Sequence, residues 1–116
     1  MSKKINISLS GSEITLNFGI GRFYNLFKDA TGKDLLTYSE ATGTTGLVEI
    51  VQGLVYAGYY AECKLNKTTP SLSKEEIFEA ILDSDTSIIT KIFEDYIKTV
   101  SQNGVVSGEA VSQLSA

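Results

Sequence analysis

Histidine is absent from the 116 residues, and cysteine occurs once, at Cys63. These scarcities exclude an internal disulfide and the commonest zinc-ligand sets, and they leave every serine, and Cys63 itself, without an imidazole base. A reducing, cytoplasmic compartment fits a lone thiol best. Positive charge is also short: 10 basic side chains against 14 acidic ones give a net charge of −4, and the pI is near 4.7. Such a chain repels a phosphate backbone, so no nucleic acid is expected as a partner. Long apolar runs are missing too. The most apolar stretch, Leu47 to Ala61, is interrupted by Glu49, Gln52 and two glycines, and falls short of the roughly 20 residues that span a bilayer. The opening Met-Ser-Lys-Lys is charged like a signal peptide, but polar and apolar residues alternate after it, so neither an export signal nor a membrane partner is expected.

What is present reads as globular. Hydrophobic residues make up 42% and charged residues 21%, an ordinary soluble composition, and a chain of this length fits one domain that buries about two-thirds of its unfolded surface. Ile5, Ile7 and Leu9 alternate with polar residues, Ser10-Gly11-Ser12 supplies a turn, and Ile14, Leu16 and Phe18 alternate again, which predicts a β-hairpin with one buried face. Ile20, Phe23, Tyr24 and Phe27 recur at helical spacing and Gly32 stands where a left-handed cap belongs, so a helix is predicted from Ile20 to Ala30. After one helical turn at Leu35-Leu36, the segment Ala41 to Gly46 reads as a flexible connector in which a threonine caps the next helix. That helix, Leu47 to about Ala61, is apolar nearly all round and is therefore expected at the centre.

Ser73 and Glu76 form a capping-box signature flanked by Leu72 and Ile77 at hydrophobic-staple positions. The helix that follows carries Ile77, Phe78, Ile81 and Leu82 and breaks near Asp83-Ser84-Asp85. A last helix sets Ile88, Ile89, Ile92, Phe93, Tyr96, Ile97 and Val100 on one face. The predicted fold class is α+β: an N-terminal hairpin, a body of about four helices over residues 1–100, and a flexible tail over 101–116 of small and polar residues. One core is expected to join Ile7, Leu16, Phe18, Phe23, Phe27, Ile50, Leu54, Phe78, Ile81, Ile92 and Phe93.

Candidate chemistry is sparse. Gly19-Ile20-Gly21 lies between strand and helix, where glycines can expose N–H groups to a phosphate, but Tyr24 stands where a dinucleotide fingerprint has its third glycine. The bland reading is a tight turn that uses glycine's freedom of φ. Glu75, Glu76, Glu79, Asp83 and Asp85 fall on a helix start and a polar loop, where they read as caps and solvated charges rather than acid–base pairs. Catalytic, cofactor-binding and metal-binding residues are accordingly expected to be none. Tyr56, Tyr59 and Tyr60 are the candidate protein-binding residues, since tyrosine offers large contact area with a polar tip; spread around one helix, at least one should lie inside and one at a rim.

Taken in order, the hairpin ending in Leu16-Asn17-Phe18-Gly19, the helix closing on Thr31-Gly32-Lys33-Asp34-Leu35-Leu36, the Leu54 to Tyr60 stretch with its Tyr-Ala-Gly, and the helix start Leu72-Ser73-Lys74-Glu75-Glu76-Ile77 resemble the tail assembly chaperones of long-tailed, siphovirus-like bacteriophages and prophages. The resemblance covers roughly Ile5 to Val100. It implies a non-enzymatic protein of the bacterial host cytoplasm that coats the tape measure protein, keeps it soluble during tail-tube assembly, self-associates, and is absent from the mature virion. It further implies that a frameshifted longer product is common among such proteins. The alternative is a small structural morphogenesis protein, a head-tail connector or tail-tube component.

Overall fold

The computed structural model describes residues 3–35 and 43–101. An antiparallel hairpin comes first, with β1 (Lys4–Leu9) paired to β2 (Ser12–Asn17), Ile5 opposite Leu16 and Ile7 opposite Ile14. The turn is tighter than the sequence suggested. Only Ser10 and Gly11 form it, with φ of 52° and 78°, while Ser12 already pairs with Leu9. Two positive φ angles in a two-residue loop suit the right-handed twist of the strands. Four helices follow: α1 (Gly21–Thr31), α2 (Gly43–Asn66), α3 (Lys74–Leu82) and α4 (Thr86–Ser101). The fold is thus α+β, with a hairpin followed by four helices among the described residues.

Helix ends follow local chemistry. Gly32 takes φ 76° and its N–H bonds to the Lys28 carbonyl, closing α1 as expected; Ile20 is the residue before the helix rather than within it. Helix α2 extends past both expected ends. It starts at Gly43, so residues 43–46, expected in a flexible connector, are helical and Thr44 and Thr45 lie inside the helix, while Thr42, the other threonine of that segment, lies outside the described residues; the helix stops where Lys67 turns left-handed at φ 57°. There Lys67 N–H meets the Lys64 carbonyl and Thr68 N–H the Cys63 carbonyl, a Schellman closure achieved without glycine. The capping box at α3 is complete: Ser73 accepts from Glu76 N–H at 3.1 Å, and Glu76 accepts from Ser73 N–H at 2.7 Å. Leu36, the first two connector residues, Ala41 and Thr42, and the tail 102–116 lie outside the described residues, whereas Ser101, expected in the tail, is the last residue of α4.

Helix α2 is central, as its pattern predicted. Val51, Leu54, Val55, Ala57 and Ala61 are fully buried, and α1, β2, α3 and α4 all contact it. Two glycines let its neighbours approach: a Cβ at Gly53 would lie 2.6 Å from Phe27 Cε2, and one at Gly58 would lie 2.9 Å from Leu16 Cβ. Phe18 and Phe23 meet edge to face at 5.1 Å between centroids, and Tyr96 of α4 meets Phe18 at 5.0 Å. The expected core needs correcting at its margins. Ile7, Phe78 and Phe93 are only partly buried, packed against the cluster, while Leu82, Ile88 and Ile97 are exposed. The apolar stripe of α4 is broader than the surface available to cover it. Ile89, Ile92 and Tyr96 fill its middle, and Ile88 and Ile97 fall on opposite margins.

Candidate protein-binding surface

Tyr56, Tyr59 and Tyr60 do come together, in one aromatic group with Phe78 of α3. Ring centroids lie 4.5 Å apart for Tyr56 and Tyr60, 5.8 Å for Tyr59 and Tyr60, and 6.4 Å for Tyr56 and Phe78. Lys74 Nζ sits 5.8 Å from the Phe78 centroid, within cation–π range. The three tyrosines are not equivalent. Tyr59 points inward and is 7% exposed; its hydroxyl accepts from Ser71 N–H at 2.7 Å and shares a hydrogen bond with Ser71 Oγ at 3.0 Å. Tyr60 is half-buried and donates to the Leu72 carbonyl at 2.8 Å. Both therefore tie the connection between α2 and α3 to the side of α2, a role that sequence spacing did not reveal. Of the three, Tyr56 and Tyr60 keep accessible surface.

The phenols of Tyr56 and Tyr60 stay neutral at physiological pH. Burial pushes the Tyr56 pKa up and the Asp29 carboxylate adds to it; burial does the same for Tyr60, followed by Tyr56, Tyr59, Cys63 and Glu75. What Tyr56 and Tyr60 offer a partner is ring surface with hydrogen-bonding tips.

The glycine pair before α1 is committed elsewhere. Gly19 N–H donates to Asn17 Oδ1 at 2.9 Å, which removes it from any phosphate site. Neither Gly19 nor Gly21 adopts a left-handed φ, so conformational freedom is not what Gly19 supplies; a Cβ there would come within 3.2 Å of Lys3 Cβ, and close approach is the constraint. The acidic residues also have local duties: Glu76 completes the capping box, and Asp85 accepts from Ser87 N–H at 2.9 Å, which lowers its pKa. Glu75, Glu79 and Asp83 are exposed. Cys63 is buried and unbridged. Among the described residues no three His, Cys, Asp or Glu side chains gather as a metal-ligand set, and no helix is long and apolar enough to cross a membrane.

One polar cluster escaped sequence reasoning. Glu62 of α2 accepts hydrogen bonds from Asn66 Nδ2 at 2.9 Å, Asn17 Nδ2 at 3.0 Å and Lys4 Nζ at 3.2 Å, clamping the open end of the hairpin to the central helix. Burial raises its pKa, but these three donors and the Lys4 charge outweigh burial, and the net shift is downward. Only the i, i+4 spacing of Glu62 and Asn66 was visible in the sequence; the other partners lie far along the chain. Apolar surface is the other conspicuous feature: Leu65, Leu82, Ile88 and Ile97 are between 43% and 58% exposed. No protein-family model matches the sequence, and no curated protein or solved structure is significantly similar to it.

Proposed function

We propose that this chain is a non-catalytic phage tail assembly chaperone that binds an apolar helical segment of a tape measure protein in the host cytoplasm. The observation that carries the reading is the exposed aliphatic surface: four large side chains, Leu65, Leu82, Ile88 and Ile97, remain at least 43% exposed after the core is filled. They lie on three helices, Leu65 on α2, Leu82 on α3 and Ile88 and Ile97 at opposite margins of α4, and apolar groups left in water after the core is filled are available for nonpolar contact with a partner. The sequence resemblance described above supplies the identity of that partner. Tyr56 and Tyr60, beside Phe78 and Lys74, are the aromatic contacts; Tyr59 serves the fold.

Apolar contact of this kind should persist at high salt, where attraction through net charge weakens as the Debye length shrinks. The test is co-expression with the tape measure protein of the same phage. Its soluble yield should rise, and Ile97→Glu, at an exposed position, should abolish the gain while the variant stays folded. If the tape measure protein is equally insoluble with and without the chain, the reading passes to a permanent structural component, which proteomics of purified virions would detect.

A further inference from the structure

Among the described residues the sheet has two strands, and one edge of β1 has no partner strand. Lys3 carbonyl accepts from Phe18 N–H at 2.8 Å; counting along the register from that bonded pair, Ile5, Ile7 and Leu9 exchange backbone bonds with Leu16, Ile14 and Ser12. The backbone groups of Lys4, Asn6 and Ser8 therefore point away from β2, and all three residues are exposed. Along this outer edge runs a groove, with Asn6, Ile7 and Ser8 on one side and Ile88 and Ile92 of α4 on the other. Lys91 and Asp95 line it too and pair with each other at 3.1 Å. A row of backbone donors and acceptors beside an isoleucine wall suits a further strand better than a helix, whose own backbone groups are already satisfied.

We propose that a second copy of the chain occupies this edge, β1 against β1 antiparallel about a two-fold axis at Asn6, making one four-stranded sheet. The strand is self-complementary in that register. Lys4 falls opposite Ser8 of the second copy and Asn6 opposite its counterpart, and these pairs supply about six backbone hydrogen bonds. Ile5 falls opposite Ile7 of the second copy on the apolar face, covering two side chains that are half-buried in one copy. Edge strands usually discourage such pairing with an outward charge or a proline. Here β1 has no proline, and its one charged residue, Lys4, is held by Glu62 at 3.2 Å on the face opposite the isoleucines.

Sedimentation equilibrium of the full chain across the micromolar range tests this, together with amide exchange. The expected mass is twice 12.6 kDa, with slow, concentration-dependent exchange at Lys4, Asn6 and Ser8. Asn6→Pro removes a donor that the hairpin does not use, so the hairpin should survive while dimerisation weakens at least about tenfold. Ile88→Lys changes an exposed groove residue and should also weaken it; if circular dichroism shows that Asn6→Pro is unfolded, Ile88→Lys decides alone. A monomer at all concentrations overturns the proposal, as does a dimer of undiminished strength in the folded variants. Protection of those amides only on adding an extended segment of another protein also overturns it, assigning the edge to a foreign strand. None of these readings depends on the tape measure protein, so they stand or fall apart from the proposed function.

Discussion

A methyl group at Gly53 would sit 2.6 Å from Phe27 Cε2 and 2.7 Å from Thr31 Cγ2, distances no folded side chain tolerates. Gly53→Ala sets two effects against each other. Alanine favours the helix by roughly 1 kcal/mol, while overpacking a tight contact costs about 1 to 3 kcal/mol. The nearest facing atom belongs to Phe27, fully buried with little room to move, so the steric cost should win and the urea midpoint should fall; a raised midpoint would mean that α1 can slide outward. In the sequence Gly53 and Gly58 read only as interruptions of an apolar run. Their use as contact points needs Phe27 and Leu16 to be brought against them, which helix spacing alone cannot disclose.

Elements whose limits rest on nearby residues were legible. The hairpin turn, the Gly32 cap and the Ser73–Glu76 box each involve partners within a few positions, so the residues that define them are close in sequence as well as in space. Ser73→Ala should accordingly destabilise the protein by about 1 kcal/mol, measurable as a lower thermal midpoint; an unchanged midpoint would show that the first turn of α3 is held by packing alone. The reach of α2 was less legible, because its C-terminus uses a left-handed Lys67 where the usual signal is glycine. In α4 the apolar stripe announced a helix with a buried side, but periodicity gives no measure of how much of a stripe its neighbours cover. Ile88 and Ile97 lie at margins that the hairpin and α2 do not reach.

Across the whole molecule, Glu62 joins α2 to the hairpin, and its lowered pKa ties stability to pH. A carboxylate whose folded pKa is depressed contributes stability that is complete above its unfolded pKa of about 4.3 and is lost as pH falls through the folded value. Denaturant midpoints should therefore decline below about pH 4.3, and Glu62→Gln should flatten part of that decline while lowering the midpoint at neutral pH. A variant whose acid limb matches the parent would show that other carboxylates govern it. The sequence by itself determined the α+β class, the order of elements, the centrality of α2 and the local caps, because each follows from periodicity or from chemistry between neighbours. Only the tertiary structure decided that Tyr59 faces inward, that Asn17 and Lys4 converge on Glu62, and that α4 keeps isoleucines in water. Each of these depends on which surfaces meet across the fold, and a pattern along one chain carries no record of the surface it will face.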